Sequence, residues 1–220
     1  MSTVHVDLVS DPVCPWCWLG LRYWDEARRL AADVQTRTVL RPYQLDPGVP
    51  QAGVDYADYM RAKFGGGEAS QRFKAMRAHL EEAAPQAGIV FNFDEIAVRP
   101  NTLDAHRLVR WAQGQDLGEA ALDALHKAFF EDRRDIGDKA ELADIAGAVG
   151  LDTALVGELL ATDRDAGEVL SEERFYRSLG VQGVPCFIFN GRFAVSGAEA
   201  PQTLADAIKK AASQPPLDGA

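Results

Sequence analysis

Cysteine is scarce in this chain, with three among 220 residues. That is too few for a structural disulfide framework, so any cysteine chemistry has to come from a particular pair. Basic charge is also in short supply: 23 Lys and Arg stand against 33 Asp and Glu, a formal net charge of −10. A nucleic-acid backbone or an anionic membrane surface would repel such a chain. Arg133-Arg134 and Lys209-Lys210 are isolated pairs rather than a basic patch. No apolar run approaches the roughly 20 residues that cross a bilayer. Residues 1–10 lack the charged and continuously apolar regions of a secretory signal, so the expected location is cytoplasmic.

Metal ligands are few and dispersed. The four histidines (His5, His79, His106, His126) lie far apart, and there is no second Cys-x-x-Cys to complete a zinc site. No glycine-rich phosphate loop follows a strand-like segment, so no nucleotide is implied and no tightly bound cofactor is expected. Internal repeats and low-complexity segments are absent. Apolar residues make up 47% of the chain and charged ones 25%, enough to bury a core.

The informative feature is Cys14-Pro15-Trp16-Cys17, between a β-patterned run, Val4 to Val9, and a helix-patterned one. Ser10-Asp11-Pro12 breaks the strand, and Pro15 suits the first helical position because its missing N–H has no partner to lose. Cys14 then faces the helix's positive end, which favours thiolate over thiol. A stabilised thiolate is both an attacking and a leaving group in thiol–disulfide exchange. Cys17 heads an apolar stripe with Leu21, Trp24, Ala27 and Ala31, on the side expected to be buried. Asp25 and Arg29 are placed to pair across the opposite face.

Thr36 to Leu45 reads as a second strand, parallel to the first and joined to it by the helix. From residue 51 to about 160 the pattern is helical: a short helix ending at Gly65-Gly66-Gly67, one carrying Phe73, Met76, Leu80 and Ala83, then helices at Asn101–Trp111, Glu119–Phe130, Lys139–Val149 and Asp152–Leu160. Ile89 to Phe93 reads as extended. The β pattern resumes at Cys186–Phe189, turns at Asn190-Gly191 and returns over Arg192–Val195, a hairpin signal because Asn-Gly accommodates a type I′ turn. A last helix, about Pro201 to Ala212, carries Leu204, Ile208 and Ala211 on one side, and the tail at 214–220 is expected to be flexible. The domains are therefore expected at 1–50 and 161–213 for the α/β part, with helices over 51–160.

This order resembles a thioredoxin fold with an inserted all-helical domain. The chain is similar to the DsbA-like thioredoxin family, and within it to the FrnE-type branch of disulfide oxidoreductases. The resemblance rests on Ser10 to Gly20 (SDPVCPWCWLG), Asn101 to Arg107 (NTLDAHR), Gly180 to Pro185 (GVQGVP) and Ala194 to Ala198 (AVSGA), which fall in family order along nearly the whole chain. It implies catalytic roles for Cys14 and Cys17. It also implies that Val184-Pro185 is the cis-proline loop facing the cysteines, with Val184 offering its main chain to a substrate. Pro15, between the sulfurs, would tune the reduction potential. Trp16 is either a flat surface for a substrate or a packing residue. Asp7, on the strand before the motif, is either an acid beneath the cysteines or a carboxylate at an exposed strand end.

Three further segments have structural readings. Cys186 follows Pro185 where the family commonly has an aromatic residue; it is a small core residue or a competitor for disulfide pairing. Asn101 reads as a helix N-cap with Asp104 near the positive helix end. Glu81-Glu82 and Ser171-Glu172-Glu173 read as solvated helix faces.

The functional expectation is a thiol–disulfide oxidoreductase acting on a disulfide- or thiol-containing protein or small molecule. By resemblance, glutathione (as co-substrate) or a thioredoxin system would recycle it. Two alternatives are a glutathione-dependent isomerase or transferase of a small aromatic or polyketide-like molecule, as in hydroxychromene carboxylate isomerases and kappa-class glutathione transferases, and a chaperone-like binder of unfolded protein.

Overall fold

A computed structural model describes residues 3–214. The contacts divide the chain into two compact units: one running through Leu45 and resuming at Leu170, the other Asp46–Val169. The expected flexible tail lies, from residue 215 on, outside the described residues.

The first unit is built on a four-stranded sheet. Strand β1 (Val4–Ser10) leads into helix α1 (Pro15–Leu30), which returns the chain to β2 (Thr36–Pro42), parallel to β1. Strands β5 (Cys186–Phe189) and β6 (Phe193–Ser196) complete the order β2-β1-β5-β6, with β5 antiparallel to both neighbours. Asn190 and Gly191 take φ of 50° and 66°, the pair of positive angles a type I′ turn needs. Phe189 pairs with Phe193, so Arg192, expected in the strand, belongs to the turn.

Side chains alternate across a sheet, so the register sorts them by face. One face carries Val6, Leu8, Thr38, Phe187 and Phe189. Trp24 of α1 packs there, its ring centroid 5.6 Å from that of Phe187 and 6.1 Å from that of Phe189, and its Nε1 donates to Thr38 Oγ1 at 3.0 Å. The predicted stripe Cys17, Leu21, Trp24, Ala27 and Ala31 is no more than 2% exposed at any position. Helix α9 (Pro201–Ala212) buries Leu204, Ile208 and Ala211 as expected. The ion pairs on α1 are the half-buried Asp25–Arg28 and the exposed Glu26–Arg29 rather than Asp25–Arg29. An i,i+3 geometry serves these side chains as well as i,i+4.

The opposite face carries Asp7, Val9, Arg41, Tyr43, Cys186 and Ile188. It meets α8 (Ala166–Ser178), where Val9, Tyr43, Tyr176 and Cys186 form a buried cluster. Here the expected solvated acidic face is corrected. Glu173 is 4% exposed and accepts from the main-chain N–H and Nε2 of Gln44, both at 2.9 Å, and from Arg177 Nε at 3.0 Å. Glu172 pairs with Arg41. The acids that look solvated in sequence are the anchors of α8 on the sheet, because buried main-chain donors at the end of β2 need acceptors.

The second unit holds helices α2 (Tyr56–Phe64), α3 (Gly67–Ala83), α4 (Leu103–Gln113), α5 (Gly118–Phe130), α6 (Lys139–Ala148) and α7 (Thr153–Leu160). Asp138 caps α6 through the N–H groups of Ala140 and Glu141 at 2.8 and 3.1 Å, and Asp152 caps α7 through that of Leu155 at 3.0 Å. One departure from an all-helical pattern is a two-residue antiparallel ladder between β3 (Val54–Asp55) and β4 (Val98–Arg99), too short to leave a periodic signal. Ile89–Phe93, read as extended, ends in a single 3₁₀ turn at Phe93–Glu95.

Candidate active site

The reactive geometry starts from where β1 stops. Asp11 turns the chain: its carbonyl accepts from Cys14 N at 3.0 Å, and its carboxylate, 0% exposed, accepts from Leu45 N at 2.8 Å. This pins the approach to α1 at the end of β2. Cys14 is the N-cap residue of α1, and Pro15 occupies the first helical turn. The Cys14 carbonyl accepts from Cys17 N at 3.0 Å and from Trp18 N at 3.4 Å. No side-chain oxygen caps this helix, so its N-terminal partial charge bears on the sulfur in the cap position.

Cys17 is buried as expected, at 2% exposed, and Cys14 is equally enclosed at 3%. Burial pushes the Cys17 thiol well above its ordinary range, and a hydrogen bond and charge from Cys14 add to this. The neighbouring Ser10 hydroxyl and Asp11 main chain act the other way without offsetting it. Cys17 is therefore a thiol at neutral pH, held beside its partner.

The Val184–Pro185 peptide bond is cis. The Cys14 thiol donates to the Val184 main-chain oxygen at 3.6 Å, which brings this loop to the sulfur. Gly20, one turn of α1 beyond Cys17, makes this approach possible. A Cβ at that position would lie 2.8 Å from Pro185 Cγ, closer than side chains pack. Pro185 O accepts from Gly197 N at 2.8 Å, extending the loop's tie to the end of β6. Sequence reasoning overlooked Gly20 and Asp11 as site-builders. Gly20 interrupts an otherwise good helix former, which is a usable signal.

The remaining predicted site residues divide. Trp16 is half-buried beside the cysteines in sequence. Asp7 is not beneath the motif. It lies on the face of β1 opposite α1, where its Oδ1 accepts from Arg41 Nε at 2.7 Å beside Tyr176. The reason is strand parity: Asp7 points with Val9 toward α8, while Ser10 points with Leu8 toward α1. Cys186 shares the Asp7 face, 3.8 Å from Ser196 Oγ, with its pKa raised by burial. Asn101 acts one residue earlier than an N-cap. The cap position belongs to Thr102, while Asn101 Oδ1 accepts from Leu103 N at 2.9 Å and its Nδ2 donates to Val49 O at 2.7 Å. Asp104 is committed to Arg107 at 2.6 Å, and Arg107 also ties down the carbonyls of Leu159, Thr162 and Arg164. Among the described residues, no group of three or more His, Cys, Asp or Glu is assembled as a metal site, and no helix is long and apolar enough to cross a membrane.

The family model described as DSBA-like thioredoxin domain matches residues 5–209. The uncharacterized protein YwbO of Bacillus subtilis is 27% identical over 208 residues, covering 94% of this chain and 96% of its own. The structure of a probable DsbA oxidoreductase from Streptomyces coelicolor superposes with a TM-score of 0.87 at 29% identity, covering 98% of this chain and 93% of that one. The structure of the cytosolic disulfide reductase DsbM from Pseudomonas aeruginosa with GSH shares the fold at 18% identity, with a TM-score of 0.61 and 96% coverage of each chain.

Proposed function

The chain belongs to the DSBA-like thioredoxin domain family, and from that membership we propose that it is a thiol–disulfide oxidoreductase working through Cys14 and Cys17. The observation that carries this reading is the placement of Cys14 in the cap position of α1 with its sulfur 3.6 Å from the Val184 oxygen.

In the proposed cycle the Cys14 thiolate attacks one sulfur of a substrate disulfide. The Cys14–substrate S–S bond forms, the substrate's own S–S bond breaks, and the other substrate sulfur leaves as a thiolate. Val184 supplies main-chain groups to hold the substrate beside Cys14. Cys17 then loses its proton and attacks Cys14 Sγ, which releases the second substrate thiolate and closes the Cys14–Cys17 disulfide. Two of the three influences that raise the Cys17 pKa involve Cys14, and the charge among them vanishes once Cys14 is in a mixed disulfide. The resolving thiol thus becomes easier to ionise at the step that needs it. Two thiols of a small reductant return the pair to its starting state, and the reverse sequence oxidises substrate dithiols. Glutathione is the reductant to try first, since the structure of a protein of the same fold, the cytosolic disulfide reductase DsbM, is one with GSH, and the proposed setting is the cytoplasm.

The test is reduction of insulin disulfides with a thiol donor. Wild type should accelerate it, Cys14→Ser should fall to the uncatalysed rate, and Cys17→Ser should accumulate a mixed disulfide with substrate. Equal rates for wild type and Cys14→Ser would refute the reading.

A further inference from the structure

On the side of β1 that faces α1, the residues Val6 and Leu8 are aliphatic and Ser10 is the polar exception. Ser10 ends the strand. Its carbonyl accepts from Tyr43 N at 3.1 Å, which fixes its main chain to the end of β2. The side chain is 3% exposed, and its Oγ has no hydrogen-bond partner among the described residues. A buried hydroxyl in that condition carries a desolvation cost that alanine would avoid. Such a group in a native fold calls for a reason.

The reason lies in what it neighbours. The Ser10 hydroxyl stands beside Cys17, where its influence favours the thiolate. A resting thiol is a weak hydrogen-bonding group and needs no donor. A thiolate formed in the same enclosed space is a buried anion, and a hydroxyl free to rotate toward it makes a charge-assisted hydrogen bond.

Few other groups bear on this sulfur. Cys14, on the same helix, raises the Cys17 pKa, and the Asp11 main chain lowers it. The Asp11 carboxylate is held by Leu45 N at 2.8 Å. The elements packed against α1 bury Val6 and Leu8 from β1, Phe187 and Phe189 from β5, and Leu204 and Ile208 from α9, none of them titratable. Asp7 points to the other side of the sheet, so β1 offers a hydroxyl here and no carboxylate.

We propose that the Ser10 hydroxyl donates the hydrogen bond that stabilises the Cys17 thiolate while the mixed disulfide is resolved. The inference rests on the thiol–disulfide reading above and assigns a residue to its second step. In that step the Cys17 proton passes to the substrate thiolate freed in the first. The Cys17 sulfur bonds to Cys14 Sγ, the Cys14–substrate bond breaks, and its electron pair leaves with the second substrate sulfur. Ser10 keeps its own proton throughout. Because the charge it meets develops only during resolution, the hydroxyl speeds that step without tightening the resting state.

Two measurements test this. In the first, Cys17 alkylation by iodoacetamide is followed against pH in Cys14→Ala, where no disulfide chemistry intervenes. Adding Ser10→Ala should move the onset up by about one pH unit, a tenfold loss of thiolate. In the second, reduced enzyme is mixed with bis(2-hydroxyethyl) disulfide, quenched in acid and weighed over time. Ser10→Ala should form the mixed disulfide as wild type does and resolve it about tenfold more slowly. Ser10→Thr, which keeps a hydroxyl, should resolve it near the wild-type rate. Thermal unfolding of reduced Ser10→Ala should show no loss of stability, since the hydroxyl has no partner to lose in that state. An unchanged alkylation onset, an unchanged resolution rate, or a Ser10→Ala that unfolds overturns the proposal, the last because it marks a structural hydroxyl. A wild type that forms neither the mixed disulfide nor the Cys14–Cys17 bond refutes the thiol–disulfide reading itself, and the resolving role with it.

Discussion

Cys14 and Val184 stand 170 residues apart in sequence, and the thiol of one donates to the main-chain oxygen of the other at 3.6 Å. That contact joins the start of α1 to the loop before β5. It is the point at which a helix N-terminus, a sulfur and the loop with the cis peptide bond meet.

Cys17 should respond to pH as a buried thiol. Burial disfavours the Cys17 thiolate, so its pKa lies above the ordinary thiol range, raised further by Cys14. At pH 7, iodoacetamide should label Cys14 ahead of Cys17 in the native protein, and Cys17 labelling should appear only in alkaline solution. In Cys14→Ala the onset for Cys17 should move to lower pH and still stay above that of a free thiol, as burial remains. The same shift has a consequence for stability. A raised folded-state pKa stabilises the fold below the unfolded thiol's pKa, about 8.5, and that contribution is lost as pH rises through the folded value. Peptide mass mapping across pH checks the labelling, and Cys17 reacting first would contradict it.

Gly20→Ala should harm the site without touching a sulfur. The new methyl would sit 2.8 Å from Pro185 Cγ, and neither a helix nor a proline ring yields easily. The expected cost is about 1–3 kcal/mol of stability, with slower disulfide exchange because Pro185 and Val184 are displaced from Cys14. Chemical denaturation and insulin reduction measure the two effects, and unchanged exchange would separate Gly20 from the site.

Two carboxylates of the first unit should rank opposite to their positions relative to the motif in sequence. Asp7→Asn removes a partly exposed partner of Arg41 and should cost no more than about 1 kcal/mol, leaving exchange kinetics intact. Glu173→Ala strips acceptors from buried Gln44 donors and should cost about 2–3 kcal/mol. Thermal unfolding decides the order. A large loss of exchange activity in Asp7→Asn would return Asp7 to the role of an acid beneath the cysteines.

Cys186 should stay out of the redox cycle. It points with Val9, Tyr43 and Tyr176 to the sheet face away from α1. Under excess oxidant a peptide map should show Cys14 linked to Cys17 and Cys186 as a thiol. Any Cys186 disulfide in folded monomer would mean the β5 face assignment is wrong.

Much of the fold was legible because it rests on local chemistry. The run from Val4 to Ala31 carries a strand period, a breaker, a proline suited to the first turn and a clean helical stripe, and Asn190-Gly191 carries its turn in its own backbone preferences. The candidate site was visible at its sulfurs for the same reason: two cysteines one helical turn apart stand out without tertiary information. Asp7 was left open between two roles and Glu173 was misread, because a carboxylate's role depends on its neighbours. Strand parity sends Asp7 away from α1, and α8 brings Glu173 onto donors that belong to residues 129 positions earlier.

The sequence by itself determined the candidate cysteine pair, the order of strands and helices and the helical character of the middle segment, since each follows from spacing within one or two turns of chain. Only the tertiary structure decided which face of β1 each side chain serves, that Val184 meets Cys14, that Gly20 must stay bare against Pro185, and that the Ser10 hydroxyl is buried beside Cys17. Those relations join segments far apart in the chain, and they are set by packing and register, which no local pattern encodes.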